Sequence, residues 1–224
     1  MRKMNKKKPK AIVLFSGGLD SATLLYYVAR DFNPVCLTFN YNQRHKKEIN
    51  CAKEIARRLN VRLIVLDMPF PDIGSALLDK SQPIPTELSN SIPPTYVPGR
   101  NTVFIALAMS YAEVFGIEKI FIAVNAVDYS GYPDCRPEYI AEINKLSELA
   151  TKTGAQDRPI KIEAPFVNMA KAEIIKLGFN LSVPYELTWS CYAGGDFPCG
   201  ECDSCRLRRK GFEDAGKTDP LLSA

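Results

Sequence analysis

Short apolar segments alternate along the chain with longer segments in which apolar residues recur at helical spacing. Strands are predicted at AIVLF (11–15), PVCLTFNY (34–41), VRLIVLDM (61–68), EKIFIAVNA (118–126) and, more weakly, PIKIEAPF (159–166). Helices are predicted at 19–30, 47–59, 101–116 and 137–154, and the last two end at glycine. Alternation of this kind is typical of βαβ units. It predicts an α/β fold with one parallel sheet covered by helices on both faces.

The chain is expected to divide into a main domain with two flanking segments. We expect residues 10–186 to form the α/β domain, residues 187–224 a C-terminal metal-binding segment, and residues 1–9 a basic, disordered tail. Within the main domain, residues 69–100 hold seven of the 16 prolines and interrupt the alternation. An insertion of this length is either a functional loop or a mobile connection, and both interpretations remain open.

The net charge of +4 comes from the N-terminal tail. Six of the 29 basic residues lie among the first ten, which leaves 23 against 25 acidic residues in the rest of the chain. The body therefore lacks the basic surface of a nucleic-acid-binding protein, and we expect no direct binding of tRNA. No apolar run is long enough to span a membrane, and no apolar segment follows the N-terminal charges, so a cytoplasmic protein is expected.

The segment FSGGLDS, residues 15–21, joins the first predicted strand to the first predicted helix. Its two glycines allow positive φ and let backbone amides approach a ligand, and its two serines add hydroxyl donors. Together with the start of the following helix, these amides predict an anion site. Asp20 would repel a phosphate unless Mg²⁺ bridges the two. The alternative, in which Asp20 or Ser21 simply caps the helix, explains one residue and not the whole segment.

A second phosphate-binding pattern, GFEDAGKT (211–218), fits GxxxxGK[ST] without the structural context of that motif. No strand is predicted before it, and two acidic side chains would lie against the phosphates. Only six residues follow it, so no helix can contribute its dipole. We reject this segment as a nucleotide site.

Four of the seven cysteines lie within a short C-terminal stretch, at Cys191, Cys199, Cys202 and Cys205. Two-residue gaps let neighbouring thiolates converge on one ion, and four thiolates without histidine suit a structural Zn²⁺. An iron–sulfur cluster also accepts four cysteines and is the main alternative. Disulfides are not expected in the cytoplasm.

Three further groups of polar residues follow predicted strands or begin helices. NYNQRHKK (40–47) places Gln43, Arg44 and His45 at the end of the second strand, and YVPGRN (96–101) places Arg100 and Asn101 at a helix start. In the loop DYSGYPDCRPEY (128–139), Asp134 and Arg136 could hydrogen-bond a planar heterocycle. Solvated caps and ordinary turns are the alternative interpretations.

Lys171 lies in PFVNMAKAEIIKLG (165–178), a segment with helical character. If Asn168 caps this helix, Lys171 occupies its first turn, where a cation opposes the helix dipole by about 0.3–1 kcal/mol. An incoming anion such as pyrophosphate or a substrate carboxylate would offset this cost. A simply exposed lysine is the alternative.

The segment SGGLDS matches the SGGxDS signature of the PP-loop ATP pyrophosphatases, which cleave ATP between the α and β phosphates. Together with YNQRH, YVPGRN, YPDCRPEY, the Lys171 segment and the cysteines, it resembles the 7-cyano-7-deazaguanine synthases of queuosine biosynthesis from about residue 10 to residue 220. One residue departs from the pattern, since Asn42 stands where glycine is expected.

The resemblance implies a Rossmann-like fold of the adenine nucleotide alpha hydrolase type and a ligase reaction, carried out by a homodimer. ATP would activate the carboxylate of 7-carboxy-7-deazaguanine, ammonia would displace AMP to give an amide, and a second activation with dehydration would give the nitrile. Ammonia also suits the sequence better than a persulfide as the nucleophile, because no cysteine other than Cys135 is free to carry sulfur.

The resemblance also implies site residues. The ATP-binding segment would comprise Phe15, Ser16, Gly17, Gly18, Leu19, Asp20, Ser21, Ala22, Thr23, Leu24 and Leu25. The catalytic residues would be Asp20 with Mg²⁺, Ser21, Arg100 and Lys171. The deazaguanine would be held by Gln43, Arg44, Asn101, Asp134 and Arg136.

Two other functions fit parts of the pattern. A PP-loop enzyme that modifies tRNA, either a thiolase or a lysidine-type synthetase, predicts a basic face, which the body of the chain lacks. A non-enzymatic nucleotide-binding or zinc-ribbon module would tolerate replacement of Asp20 and Ser21, whereas catalysis would not.

Overall fold

The computed structural model describes residues 8–86, 92–126 and 131–222. Three predicted features fall partly outside the described residues: the basic tail, the proline-rich insertion and the start of the tyrosine-rich loop. The parts concerned are residues 1–7, 87–91 and 127–130.

Five parallel strands form one sheet, and six helices connect or flank them. The strands are β1 (Lys10–Leu14), β2 (Asn33–Asn40), β3 (Arg62–Asp67), β4 (Lys119–Phe121) and β5 (Lys161–Glu163). The helices are α1 (Leu19–Ala29), α2 (Lys47–Arg58), α3 (Arg100–Phe115), α4 (Pro137–Ala150), α5 (Lys171–Asn180) and α6 (Asp203–Ala215). The strand order is β3-β2-β1-β4-β5 with every pair parallel, which confirms the predicted fold class.

Alternate residues of the central strand β1 face two separate hydrophobic clusters. Ala11 and Val13 pack with residues of α1, α2, α5 and α6, whereas Ile12 and Leu14 pack with residues of α3 and α4. In the sheet, Ile12 lies beside Val35 of β2 and Ile120 of β4. The sheet therefore has helices on both faces, as its apolar segments predict. Among the described helices, none combines the length and apolar character needed to cross a bilayer.

Four elements differ from the prediction. Helix α4 ends at Ala150 with Thr151 as its C-cap, so the predicted stop at Gly154 is wrong, and β5 spans only residues 161–163 of the predicted 159–166. Strand β4 spans only residues 119–121 of the predicted 118–126, because the chain then leaves the sheet while Ile122 and Val124 stay buried in the core. Helix α6 was not predicted, since its N-terminal half is polar and contains cysteine. It includes residues 211–215 of the rejected GFEDAGKT segment, and Gly216 ends the helix at a φ of 65°.

Gly178 lies in α5 where this helix contacts the fully buried Tyr185. A Cβ at this position would overlap the Tyr185 hydroxyl, which hydrogen-bonds Thr23 of α1 at 2.8 Å. Glycine to alanine in a helix ordinarily stabilises it, by about 1 kcal/mol. We expect Gly178→Ala instead to lower the free energy of unfolding by about 1–3 kcal/mol, because Tyr185 must move. Urea denaturation measures this.

The matched control is Gly195→Ala, since the nearest atom to a Cβ at Gly195 lies 3.5 Å away. If the two alanine variants unfold at the same urea concentration, the packing argument for Gly178 is wrong.

Candidate active site

A cleft of about 340 Å³ opens at the carboxyl end of β1. Strand order reverses there, between β1 and β4, and ligands of open α/β sheets bind at such a point. Residues from the FSGGLDS segment, the end of β2, and the helices α2, α3, α5 and α6 line the cleft. The predicted phosphate loop therefore lines this cleft, at the position where ligands of such sheets bind.

The FSGGLDS loop is held by its own serines and by α2. Gly17 has a φ of 88°, and a Cβ there would overlap the Glu48 carbonyl of α2. Ser16 Oγ lies 3.0 Å from Ser21 Oγ and accepts a hydrogen bond from the Gly18 amide at 3.2 Å. Gly18 occupies the N-cap position of α1, so the alternative in which Asp20 or Ser21 caps the helix is wrong.

Only part of the predicted ATP segment reaches the cleft. The segment residues that line it are Phe15, Ser16, Gly18, Leu19, Asp20 and Ser21. Ala22, Thr23, Leu24 and Leu25 are fully buried in α1, and Gly17 is buried against α2. These buried residues support the loop from behind rather than facing a ligand.

Asp20 and Lys171 form an ion pair inside the cleft. Lys171 Nζ lies 2.5 Å from Asp20 Oδ2, and both side chains are at least three-quarters buried. Asp20 Oδ1 is also buried, and it accepts no hydrogen bond from any described residue. A carboxylate oxygen without a donor fits a position that binds a hard cation such as Mg²⁺.

Lys171 is the first residue of α5, and the predicted cap is wrong. Ala170, not Asn168, holds the N-cap position, and the Glu173 side chain accepts a hydrogen bond from the Ala170 amide at 2.8 Å. Glu173 satisfies the free amide, so an Asn168 cap is not needed. The carboxylate of Asp20 offsets the unfavourable position of the Lys171 cation at a helix start.

The segment after β2 supplies both cleft residues and a structural anchor. Gln43 lines the cleft while its side chain accepts a hydrogen bond from the Tyr41 amide at 2.9 Å. Arg44 also lines it, but its guanidinium donates to the carbonyls of Ala76, Asp79 and Gln82 and so holds the proline-rich insertion. Asn42, where glycine was expected, has a φ of 61°, a conformation that asparagine tolerates better than most residues.

The start of α3 brings Arg100 and Asn101 to the cleft. Arg100 donates a hydrogen bond to the Tyr41 hydroxyl at 3.2 Å. Asp134 is buried behind this turn, where its carboxylate accepts from the Asn101 amide at 3.1 Å. Arg136 is exposed, donates to the Pro133 carbonyl and lies outside the cleft, beside a shallow second pocket. The structure thus brings Arg100 and Asn101 to the cleft but not Asp134 or Arg136.

The four C-terminal cysteines converge. The sulfurs of Cys191, Cys199, Cys202 and Cys205 all lie within 4.8 Å of one another, and none of the seven cysteines, all described, forms a disulfide. The Cys199 amide donates to Cys191 Sγ at 3.3 Å and the Cys202 amide to Cys199 Sγ at 3.4 Å. This donor set suits a single metal ion.

The cysteine cluster is attached to the cleft through backbone groups. The Cys191 carbonyl accepts hydrogen bonds from His45 Nε2 and from Trp189 Nε1, both at 2.8 Å. The Trp189 amide in turn donates to the Gly17 carbonyl of the phosphate loop at 3.2 Å. Burial lowers the pKa of His45, which favours the neutral ring with its proton on Nε2. Two hydrogen bonds, both donated by Trp189, therefore connect the cysteine cluster to the FSGGLDS loop, so a structural change at the cluster can alter the loop.

Comparison with known proteins identifies the family. The model of the family described as queuosine biosynthesis protein QueC matches residues 10–216. The chain belongs to this family. A relative from Nostoc punctiforme named 7-cyano-7-deazaguanine synthase is 47% identical over 224 residues, which cover 96% of this chain and 100% of the relative. One of the same name from Stutzerimonas stutzeri is 50% identical over 223 residues, covering 97% and 98%.

A solved structure shares the fold of this QueC-family chain. The U34-tRNA thiolase NcsA from Methanococcus maripaludis, solved with its [4Fe-4S] cluster, has a TM-score of 0.51 and 15% sequence identity. The match covers 100% of this chain and 69% of the thiolase. At this identity the likeness concerns the fold alone.

Several residues of the cleft in this QueC-family chain were not predicted as site residues, among them Glu48 and Trp189. Glu48, in the first turn of α2, lines the cleft, and its burial raises the pKa of its carboxyl from 4.5 to about 7, against an opposing effect of Arg100. Trp189 lines the cleft beside the cluster. The only sequence signal for Glu48 was its position three residues after His45. The other charged residues of α2 are typical of a solvent-exposed helix face, so nothing else distinguished Glu48.

Proposed function

We propose that this chain is an ATP-dependent ligase that converts 7-carboxy-7-deazaguanine and ammonia to 7-cyano-7-deazaguanine in queuosine biosynthesis. Family membership and the full-length similarity to synthases of that name support the substrate and product. The observation that carries the ATP chemistry is the FSGGLDS loop in the main cleft, with Asp20 Oδ1 buried and free of hydrogen-bond donors.

We infer that the loop binds the phosphates of ATP. The backbone amides that follow Phe15, with the hydroxyls of Ser16 and Ser21, would donate to phosphate oxygens at the N-terminus of α1. Mg²⁺ would bind at Asp20 and neutralise phosphate charge. Lys171 and Arg100 would stabilise the negative charge that develops on the departing pyrophosphate.

The reaction needs two activations. A carboxylate oxygen of the substrate attacks the α phosphorus of ATP and expels pyrophosphate. Ammonia then forms a C–N bond to the activated carbonyl carbon, AMP leaves, and nitrogen loses a proton. In the second cycle the amide oxygen takes the adenylyl group, and loss of AMP with the two remaining N–H protons gives the nitrile.

The deazaguanine is assigned to the part of the cleft lined by aromatic rings. Phe104 lines the cleft and stacks on Phe39, with ring centroids 3.9 Å apart, which gives a flat apolar wall for a heterocycle. Gln43, Arg44 and Asn101 line the same cavity and are the candidates for polar contacts. Asp134 is better assigned to positioning Asn101, from whose amide it accepts a hydrogen bond, and Arg136 is a surface residue.

We assign a structural Zn²⁺ to the four cysteines. Tetrahedral thiolate coordination leaves no open position, so this metal would fold the C-terminal segment rather than take part in the reaction. An iron–sulfur cluster is the competing occupant, and metal analysis with an absorption spectrum of the purified protein distinguishes the two.

Product analysis tests the proposed function. Purified protein with ATP, Mg²⁺, ammonium and 7-carboxy-7-deazaguanine is expected to yield the nitrile, AMP and pyrophosphate, as measured by mass spectrometry. Without ammonium, the adenylated acid should form with no amide. AMP without amide or nitrile would contradict the deazaguanine assignment and favour the alternative of a PP-loop enzyme acting on tRNA. The homodimer implied by the family resemblance stays a prediction.

A further inference from the structure

We propose that Glu48 is the general base of this reaction, removing protons from the substrate nitrogen during amide formation and again during dehydration to the nitrile. The proposal rests on the proposed function and adds a residue that the sequence motifs do not mark.

The position of Glu48 is the first argument. Its carbonyl packs on Gly17 of the phosphate loop, and its side chain lines the cleft together with Asp20, Tyr41 and Arg100. The carboxyl therefore shares one cavity with the loop assigned to ATP and with the aromatic wall assigned to the heterocycle. The activated carboxyl carbon must lie between those two ligands.

The second argument is that Glu48 is not engaged elsewhere. Among the described residues that line the cleft, the only acids are Asp20 and Glu48. Asp20 is paired with Lys171, whereas the Glu48 carboxyl has neither a hydrogen bond nor a salt bridge within the described parts of the chain. A partly buried carboxylate with no internal partner is available to a ligand.

The third argument is the protonation equilibrium. Burial raises the pKa of the Glu48 carboxyl to about 7, while the positive charge of Arg100 acts in the opposite direction. A base with a pKa near the working pH takes up a proton and releases it again readily. The groups that interact electrostatically with Glu48 are Arg100, Tyr41 and Cys51. The other charged and titratable residues that share its cleft are Asp20, Arg44, His45, Tyr132, Cys135, Lys171, Tyr192 and Arg208.

The proton balance of the reaction requires such a group. As ammonia adds to the activated carbonyl, the C–N bond forms, one N–H proton passes to the Glu48 carboxylate, and the C–O bond to AMP breaks. In the second cycle the C–O bond to AMP breaks while nitrogen loses its two remaining protons, one to Glu48 and the other to water in the open cleft. The carboxyl returns each proton to solvent through the open cleft. Neither step changes an oxidation state.

The variant Glu48→Gln tests this role, because it keeps the size of the side chain and removes the base. We expect amide formation to fall about 10²-fold, the lower end of what a general base contributes. The rate of adenylation, measured as ATP–pyrophosphate exchange in the presence of the acid, should change less than about threefold, since this step needs no base. At a fixed concentration of free ammonia, the wild-type rate should decline as pH falls through about 7, where Glu48 becomes protonated. That decline should be absent in the variant.

Glu54→Gln is the matched control. Glu54 lies on the same helix α2, where it pairs with Arg57 at 2.8 Å and Arg58 at 3.1 Å, and it does not line the cleft. The control should keep both the rate and the pH profile. Glu48→Asp, which retains a carboxyl on a shorter side chain, should recover part of the lost rate.

Several outcomes would overturn the assignment. Equal losses of exchange and amide formation in Glu48→Gln would mean that the residue binds ATP or supports the loop. A raised KM for the acid at unchanged kcat would mean that it recognises the heterocycle, and an unchanged rate would mean that it has no role. If wild-type protein forms neither amide nor nitrile, the proposed function itself fails before the variant is compared.

Discussion

Replacing Lys171 with methionine is expected to lower kcat/KM for the deazaguanine acid by about 10³-fold, because a fixed cation that meets phosphate charge contributes on that order. Methionine preserves most of the side-chain volume and removes the charge. The loss also leaves the largely buried Asp20 without the ion pair that it forms at 2.5 Å. Steady-state kinetics with the acid as the varied substrate measure the effect.

ATP–pyrophosphate exchange separates this effect from that of Glu48→Gln. In Lys171→Met the rate of exchange should fall together with product formation, since Lys171 acts on the adenylation step. In Glu48→Gln the rate of exchange should stay nearly unchanged. The matched control is Lys176→Met, an exposed lysine on the same helix α5. A Lys171→Met enzyme within tenfold of wild type, or no more impaired than the control, would show that Lys171 serves only the pairing of Asp20.

Those parts of the site that are contiguous in sequence were predictable. FSGGLDS carries its glycines, serines and acid within seven residues, and the four cysteines lie within fifteen, so local spacing was sufficient. The parallel sheet was predictable for a similar reason, because alternating short apolar and amphipathic segments allow few other folds.

Contacts between residues that are far apart in the sequence could not be predicted from local spacing. Lys171 and Asp20 are 151 positions apart, and only the sheet order brings the start of α5 beside the loop after β1. Arg44 was predicted to bind the substrate, yet its guanidinium donates to three backbone carbonyls of the proline-rich insertion. The insertion has no periodic hydrophobic pattern from which its path could be predicted. Asp134 was assigned in the same way and instead holds the first turn of α3.

Glu48 and helix α6 were missed for opposite reasons. Glu48 stands in a helix with the ordinary alternation of charged and apolar residues, so nothing local marks it. Its unusual environment comes from burial beside the loop and Arg100, which are remote in sequence. Helix α6 has few apolar residues, and its helical character depends on packing against α5, where the Phe212 ring makes edge contacts with Phe179 and Tyr185.

Removal of the zinc proposed at the four cysteines is expected to lower activity strongly and to change the environment of the single tryptophan. Trp189 is the only tryptophan in the chain, and it connects the cluster to the phosphate loop by donating from its ring to Cys191 and from its amide to Gly17. Without metal, nothing holds the four sulfurs together, and the segment should lose its folded geometry. Structural zinc sites contribute apparent binding free energies of about 10–16 kcal/mol, so the loss should be large.

Cys202→Ser is the variant that tests this, with metal content, tryptophan emission and product formation measured on the same sample. We expect loss of bound metal, a red shift of the Trp189 emission and at least a 10²-fold loss of activity, on the order of what loosening an active-site loop costs. The control is Cys36→Ala, a fully buried core cysteine on β2 whose thiol pKa burial raises to about 12. A metal-free Cys202→Ser protein that keeps both its emission and its rate would show that the cluster, although attached to the loop by two hydrogen bonds, does not hold it in place.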